Sequence, residues 1–196
     1  MNIGIDIDGV LTNDDEYMVS TLDRFIYENH LEDHKNFNAY EYNKVNWDQS
    51  HLSKYVDQYF WNYGKKEPAR KYASEVIKKL KEDGNKIYII TSRRYTTENT
   101  KNGKKERAIV KKWLKKQKIF YDQLYFSKDK VEEINKLKID IMVEDSPETI
   151  PIFVKHTHVL CFDCRYNKHL NLDNMTRVFS WYDIYMKISK KKEGTE

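Results

Sequence analysis

At 196 residues the chain is long enough for one domain plus a small lobe, with a sizeable core. Hydrophobic residues make up 39% and charged residues 34%, and no apolar run approaches the roughly 18 residues of a membrane span. The balance of 35 basic against 31 acidic side chains, net +4, is too even to point to nucleic acid. Two cysteines, Cys161 and Cys164, and a strand at the first residues that leaves no room for a leader peptide predict a soluble, cytoplasmic protein.

Ile3, Ile5 and Ile7 are β-branched and predict a buried strand that stops at Gly9. Asp6 and Asp8, two apart, are expected on one side of its pleat. Buried carboxylates need a partner or a metal, and a divalent cation is the simplest thing that would hold both. Gly9 allows a sharp turn and close approach of the backbone to an anion. Asn13 to His30 reads as a helix with Met18, Leu22, Phe25 and Ile26 on one face. From Leu31 to Tyr63 no strand-like run occurs, but aromatics are dense, among them Phe37, Trp47, Tyr55, Tyr59, Phe60, Trp61 and Tyr63. Two short helices fit there, the second near Leu52 to Phe60, making a lobe between the first two strands.

Pro68 suits the start of a helix that ends at Gly84, with Tyr72, Ala73, Val76, Ile77 and Leu80 as its stripe. Lys86 to Thr91 is the second strand, a helix follows from about Lys105 to Gln117, and Gln123 to Phe126 is a third strand. Lys130 to Leu137 reads as a helix and Ile139 to Val143 as a strand. Ser146-Pro147 opens another helix, His158 to Phe162 is the fifth strand, and Ser180 caps a last helix. Strands alternating with helices mean a parallel sheet covered on both faces, with ligands beyond the carboxyl ends of the strands.

Asp6-x-Asp8-Gly9-Val10-Leu11-Thr12 after an apolar strand resembles the first motif of the haloacid dehalogenase (HAD) superfamily of phosphotransferases. Thr91-Ser92 closing the second strand, Lys130 after the third, and Glu144-Asp145 closing the fourth follow in the family's order. Lys128 competes with Lys130, and Lys104 and Lys105 are outsiders. The segments Val159 to His169 and Arg177 to Trp181 look like the carboxyl end of the cytosolic 5′(3′)-deoxyribonucleotidases.

The resemblance implies an α/β fold: a HAD-like Rossmannoid parallel sheet with helices on both faces and a small helical cap inserted after strand one. On that resemblance residues 1–15 and 66–190 are expected to form the core, 16–65 the cap and 191–196 a frayed tail. It implies Asp6 as nucleophile and Asp8 as general acid/base, with Thr91, Ser92 and Lys130 on the phosphate. Mg²⁺ is then expected to be held by Asp6, the backbone carbonyl of Asp8, and Asp145. Glu144 stands where related nucleotidases have Asp, and is expected to support Asp145 from behind. Asp8 needs an elevated pKa, which neighbouring acids would supply. Phe37, Trp47, Phe60, Trp61 and Arg93 are the candidate substrate contacts, although most cap rings are expected to build the cap's own core.

The resemblance implies hydrolysis of nucleoside monophosphates, deoxyribonucleotides foremost, through an aspartyl-phosphate. The implied partner is this small nucleotide, with no membrane and no nucleic acid, and a homodimer is compatible with the chain. The lysine-rich run from Lys101 to Lys118 reads as a solvated helix face, and Cys161-x-x-Cys164 lacks the second pair a zinc site would want. The competing readings are a phosphatase of another small ester, such as a sugar phosphate, and a phosphate-binding module without turnover.

Overall fold

The structure, a computed structural model, describes residues 1–32 and 47–192. Six parallel strands form one sheet: β1 (Asn2–Ile5), β2 (Lys86–Thr91), β3 (Gln123–Phe126), β4 (Ile141–Glu144), β5 (His158–Phe162) and β6 (Met175–Val178). Their order is β3-β2-β1-β4-β5-β6. Alternation along β2 sends Ile87 and Ile89 to one face and Tyr88 and Ile90 to the other, where each meets a separate apolar cluster. On the first face lie α4 (Ala73–Glu82), α5 (Lys101–Lys116) and α8 (Trp181–Lys192), and on the second α6 (Lys130–Lys136) and α7 (Ile150–Phe153). This is the covered parallel sheet expected of strands alternating with helices.

Between β1 and β2 come α1 (Asp14–Glu28), α2 (Gln49–Tyr55), a π-helical turn over Val56–Phe60, and α3 (Trp61–Lys66). They hold a third cluster of their own, Leu22, Phe25, Tyr55 and Tyr59. Phe37, one of the expected substrate contacts, lies outside the described residues.

Several boundaries differ from expectation for local reasons. β1 stops at Ile5 because the chain then turns, with the Leu11 and Thr12 amides both donating to the Ile7 carbonyl at 2.8 and 3.0 Å. Pro68 precedes α4 rather than opening it, since Ala69 bridges to Thr12 first. α5 begins at Lys101, where Thr100 accepts from the Gly103 amide at 3.0 Å. β6 has no apolar run to betray it: it pairs with β5 alone, at the sheet edge. α8 continues to Lys192. No helix among the described residues is long and apolar enough to cross a membrane.

Candidate active site

The strand order runs outward from β1 through β2 to β3, then returns to β4 on the other flank of β1. The carboxyl ends of β1, β2 and β4 therefore surround a crevice at the switch point. Asp6 follows β1, its amide fixed on the Val143 carbonyl at 3.1 Å; Thr91 closes β2, Glu144 closes β4, and Lys130 opens α6.

The early end of β1 corrects one expectation. Asp6 and Asp8 lie beyond the strand rather than in its pleat, and each has its own cation. Lys130 Nζ lies 3.0 Å from Asp6 Oδ1 and 2.9 Å from Glu144 Oε2. Arg93 Nε lies 3.1 and 3.0 Å from the two Asp8 oxygens, its Nη2 donates to Oδ1 at 2.5 Å, and the Tyr63 hydroxyl donates there at 2.6 Å. The carboxylates that do converge are Asp6, Glu144 and Asp145, all buried, with one oxygen of each within 4.8 Å of the others. Asp8 is left with its backbone carbonyl to offer a metal.

Among the described residues, one ammonium against three buried carboxylates leaves two negative charges without a counterion. Burial, outweighing the pull of Lys130 and reinforced by Glu144 and Asp8, pushes Asp6 up to about 7. Burial, then the charges of Glu144 and Asp6, hold Asp145 well above the usual carboxylate range. Acids that resist ionising together, with oxygen donors alone, fit a hard divalent cation. Glu144 is already engaged: Oε1 accepts from the Asp145 and Ser146 amides at 3.1 and 3.3 Å, and Oε2 from Lys130. Gly9, at φ 73°, backs onto Asp145, and a Cβ there would run into that carboxylate. The glycine thus makes room for an acid of the cluster.

Asp8 is a second correction. Burial pushes its carboxyl up, but the Arg93 guanidinium and the hydrogen bonds from Arg93 and Tyr63 outweigh it and hold the group below its ordinary value. The neighbouring acids do not raise it because a cation stands beside it.

A cavity of about 360 Å³ opens over these groups, within the size of small-molecule sites. Asp6, Asp8, Thr91, Ser92, Arg93 and Lys130 line its floor. Thr91 is buried and its Oγ1 accepts from the Arg93 amide at 3.2 Å, whereas Ser92 is exposed. The walls come from α1 through Asp14, Tyr17 and Met18, and from the 49–66 helical run through Tyr55, Tyr59, Phe60 and Tyr63.

Of the expected substrate contacts, Phe60 lines the cavity. Trp61 does not: it stacks on Tyr95 at 5.8 Å, with Lys105 Nζ 3.6 Å above its ring. Trp47 is not a wall residue either, because it packs into the lobe core against Phe25 at 5.0 Å and Tyr55 at 5.9 Å. Arg93 lines the floor with its guanidinium committed to Asp8. Lys128 is exposed, so Lys130 is the lysine brought to Asp6. Asp14 went unnoticed behind its role at a helix start; burial, then the Asp8 charge, push it up to about 7. Tyr55, Tyr59 and Tyr63 at four-residue spacing were the legible sign of a wall.

Tyr166 and Asn167 were also missed. The Tyr166 hydroxyl donates to Asp145 Oδ2, and Asn167 Nδ2 donates to the Asp145 carbonyl at 2.7 Å. Arg177, on β6, steadies their loop by donating to Asp163 Oδ1 and Asn167 Oδ1 at 2.9 and 2.8 Å. The edge strand therefore reaches the acid cluster through two contacts.

The model of the family described as "5' nucleotidase, deoxy (Pyrimidine), cytosolic type C protein" matches residues 1–193. A nucleotidase of Clostridium acetobutylicum is 23% identical over 199 residues, covering 100% of this chain and 97% of that protein. Among solved structures, a haloacid dehalogenase-like hydrolase of Streptococcus pneumoniae superposes with a TM-score of 0.64 at 12% identity, over 95% of this chain and 97% of its own. A HAD family hydrolase of Deinococcus radiodurans, with bound phosphate and sodium, gives 0.62 at 12% identity over 99% and 95%. These likenesses show the fold, and the family match covers almost the whole chain. The chain belongs to the cytosolic type C 5′ nucleotidase family and is a phosphoric monoester hydrolase of the HAD type.

Proposed function

We propose that this chain hydrolyses nucleoside monophosphates, deoxyribonucleotides foremost, in a Mg²⁺-dependent reaction through a phosphoryl group carried on Asp6. The observation that carries the reading is one cavity with two unlike surfaces: a floor of buried acids around Lys130 and a wall of tyrosines. Stacking on an aromatic ring is worth about 1–3 kcal/mol per base, which favours a nucleotide over a sugar phosphate. The family description and the named relative support the same class.

Asp6, Asp145 and the Asp8 carbonyl would hold Mg²⁺, which when bound offsets the repulsion between these carboxylates and the anionic phosphate. Asp6 attacks phosphorus as its bond to the nucleoside oxygen breaks. Lys130, Thr91 and Ser92 grip the phosphoryl oxygens. Asp8 starts ionised beside Arg93, so the proton for the leaving oxygen enters with the substrate, whose phosphate keeps its second proton up to pH about 6. Asp8 relays that proton to the nucleoside oxygen. Ionised again, it takes a proton from the water that attacks the phosphorylated Asp6 and passes it to the departing phosphate, so that Asp6 and Asp8 both return to carboxylates. Residues 16–65 serve as the cap over the substrate, and the cytoplasm is the expected setting.

The test is phosphate release from a panel of nucleoside monophosphates and sugar phosphates, with Mg²⁺ and with EDTA. Release from nucleotides, lost in EDTA and in Asp6→Asn, is expected. Preference for sugar phosphates would overturn the substrate class, and release by Asp6→Asn would overturn the nucleophile.

A further inference from the structure

Glu106, on α5, is 1% exposed, and neither carboxylate oxygen has a hydrogen-bond partner. A buried acid in that state is costly unless a charge faces it. Lys105 and Lys65 act on it from further off, and the cation in ion-pair contact is Arg93, whose Nη1 lies 3.9 Å from Glu106 Oε1 and has no hydrogen bond of its own. The opposite edge of the same guanidinium forks onto Asp8. The Tyr63 ring lies 5.0 Å from the guanidinium carbon, and Tyr63 also donates to Asp8. Next along α3, Gly64 leaves room for the acid: a Cβ there would stand 3.0 Å from Glu106 Oε1 and 3.2 Å from Ile109 Cγ2. One planar cation is thus held between two acids, one facing the cavity and one sealed behind it.

We propose that Glu106 is a positioning residue: it fixes the Arg93 guanidinium from behind, so that Asp8 is aimed at the leaving oxygen. This rests on the phosphatase reading above, with Asp8 as the proton carrier. Arg93 alone could swing about its long side chain. Pinned at both edges and stacked on Tyr63, it has one orientation, and Asp8 inherits it. The link also ties the lobe, through Tyr63 and Gly64, to the core, through Arg93 and Glu106.

The experiment compares kcat/KM, which reports phosphoryl transfer, for a nucleoside monophosphate and for p-nitrophenyl phosphate. Nitrophenolate leaves without a proton, whereas a nucleoside oxygen needs one. A slightly misplaced proton donor costs on the order of 10-fold to 100-fold, so Glu106→Gln should lose that much on the nucleotide and little on the nitrophenyl ester. Gly64→Ala, which presses on Glu106 without changing it, should shift the ratio in the same direction, and Glu106→Asp should restore part of it. Gly64→Ala keeps the test intact where Glu106→Gln does not fold. Equal losses on both esters, or an unchanged ratio in both variants, would overturn the assignment. A wild-type protein inert toward both esters would instead overturn the phosphatase reading on which it stands.

Discussion

Lys130→Met removes the ammonium that faces the cluster of Asp6, Glu144 and Asp145 while keeping the length of the side chain. Lys130 is 6% exposed and lies 3.0 and 2.9 Å from the first two acids, so water cannot readily replace it. Removing one partner of a buried ion pair costs about 3–5 kcal/mol, and for a chain of this size each kcal/mol moves Tm by about 2–4 °C, giving a fall of about 6–20 °C. The acids can escape part of that penalty by taking up protons. Asp6 already sits at about 7 with the lysine pulling it down, so without the lysine it rises further, and the loss should shrink from pH 8 to pH 6. Mg²⁺ should recover part of the loss at pH 8 by supplying the missing positive charge. Adding Asp6→Asn should cost less than the sum of the two changes, because it removes one of the repelling acids. Thermal melts followed by circular dichroism, in EDTA and in Mg²⁺ at both pH values, measure all of this. An unchanged midpoint in EDTA at pH 8 would refute the claim that Lys130 balances the cluster.

Asp6, Asp14 and Glu106 are each pushed up to about 7, chiefly by burial. In the folded state they bind protons that the unfolded chain has already released, so the metal-free protein should lose stability as pH rises from about 4 to about 7; urea melts in EDTA at pH 5.5 and 7.5 check the sign. The Asp6 proton must also leave before a cation binds, so apparent Mg²⁺ affinity should fall as pH drops below about 7, read by calorimetry. Tyr166→Phe removes the donor on Asp145 and should weaken Mg²⁺ binding by about 10-fold to 100-fold with little change in Tm. Phe60→Ala should raise KM for nucleotides more than kcat falls, whereas Trp47→Ala should lower Tm by loosening the lobe core, a contrast that steady-state kinetics and melts resolve together.

The lobe shows why some contacts were legible and others were not. Its aromatic density is plain in the sequence, but density does not say which ring faces inward. Trp47 and Trp61 are the largest rings and turn to Phe25 and Tyr95, while the smaller Tyr55, Tyr59 and Tyr63 recur every fourth residue and form a wall. β6 illustrates the same limit in the sheet. Met175-Thr176-Arg177-Val178 has no apolar run, and its edge position is a fact of pairing with β5 rather than of composition.

What the sequence determined by itself is the order of strand ends and the residues standing there: Asp6, Thr91, Lys130, Glu144 and Asp145. Apolar runs and their interruptions are local, and a parallel sheet follows once strands alternate with helices. Which charge neutralises which was decided by the tertiary structure alone. Asp6 and Asp8 are two residues apart in the chain, yet one faces Lys130 and the other Arg93, because the strand ends at Ile5 and the backbone turns through both acids. Coulomb energy depends on distance and on burial, and neither can be read from the spacing of residues along the chain.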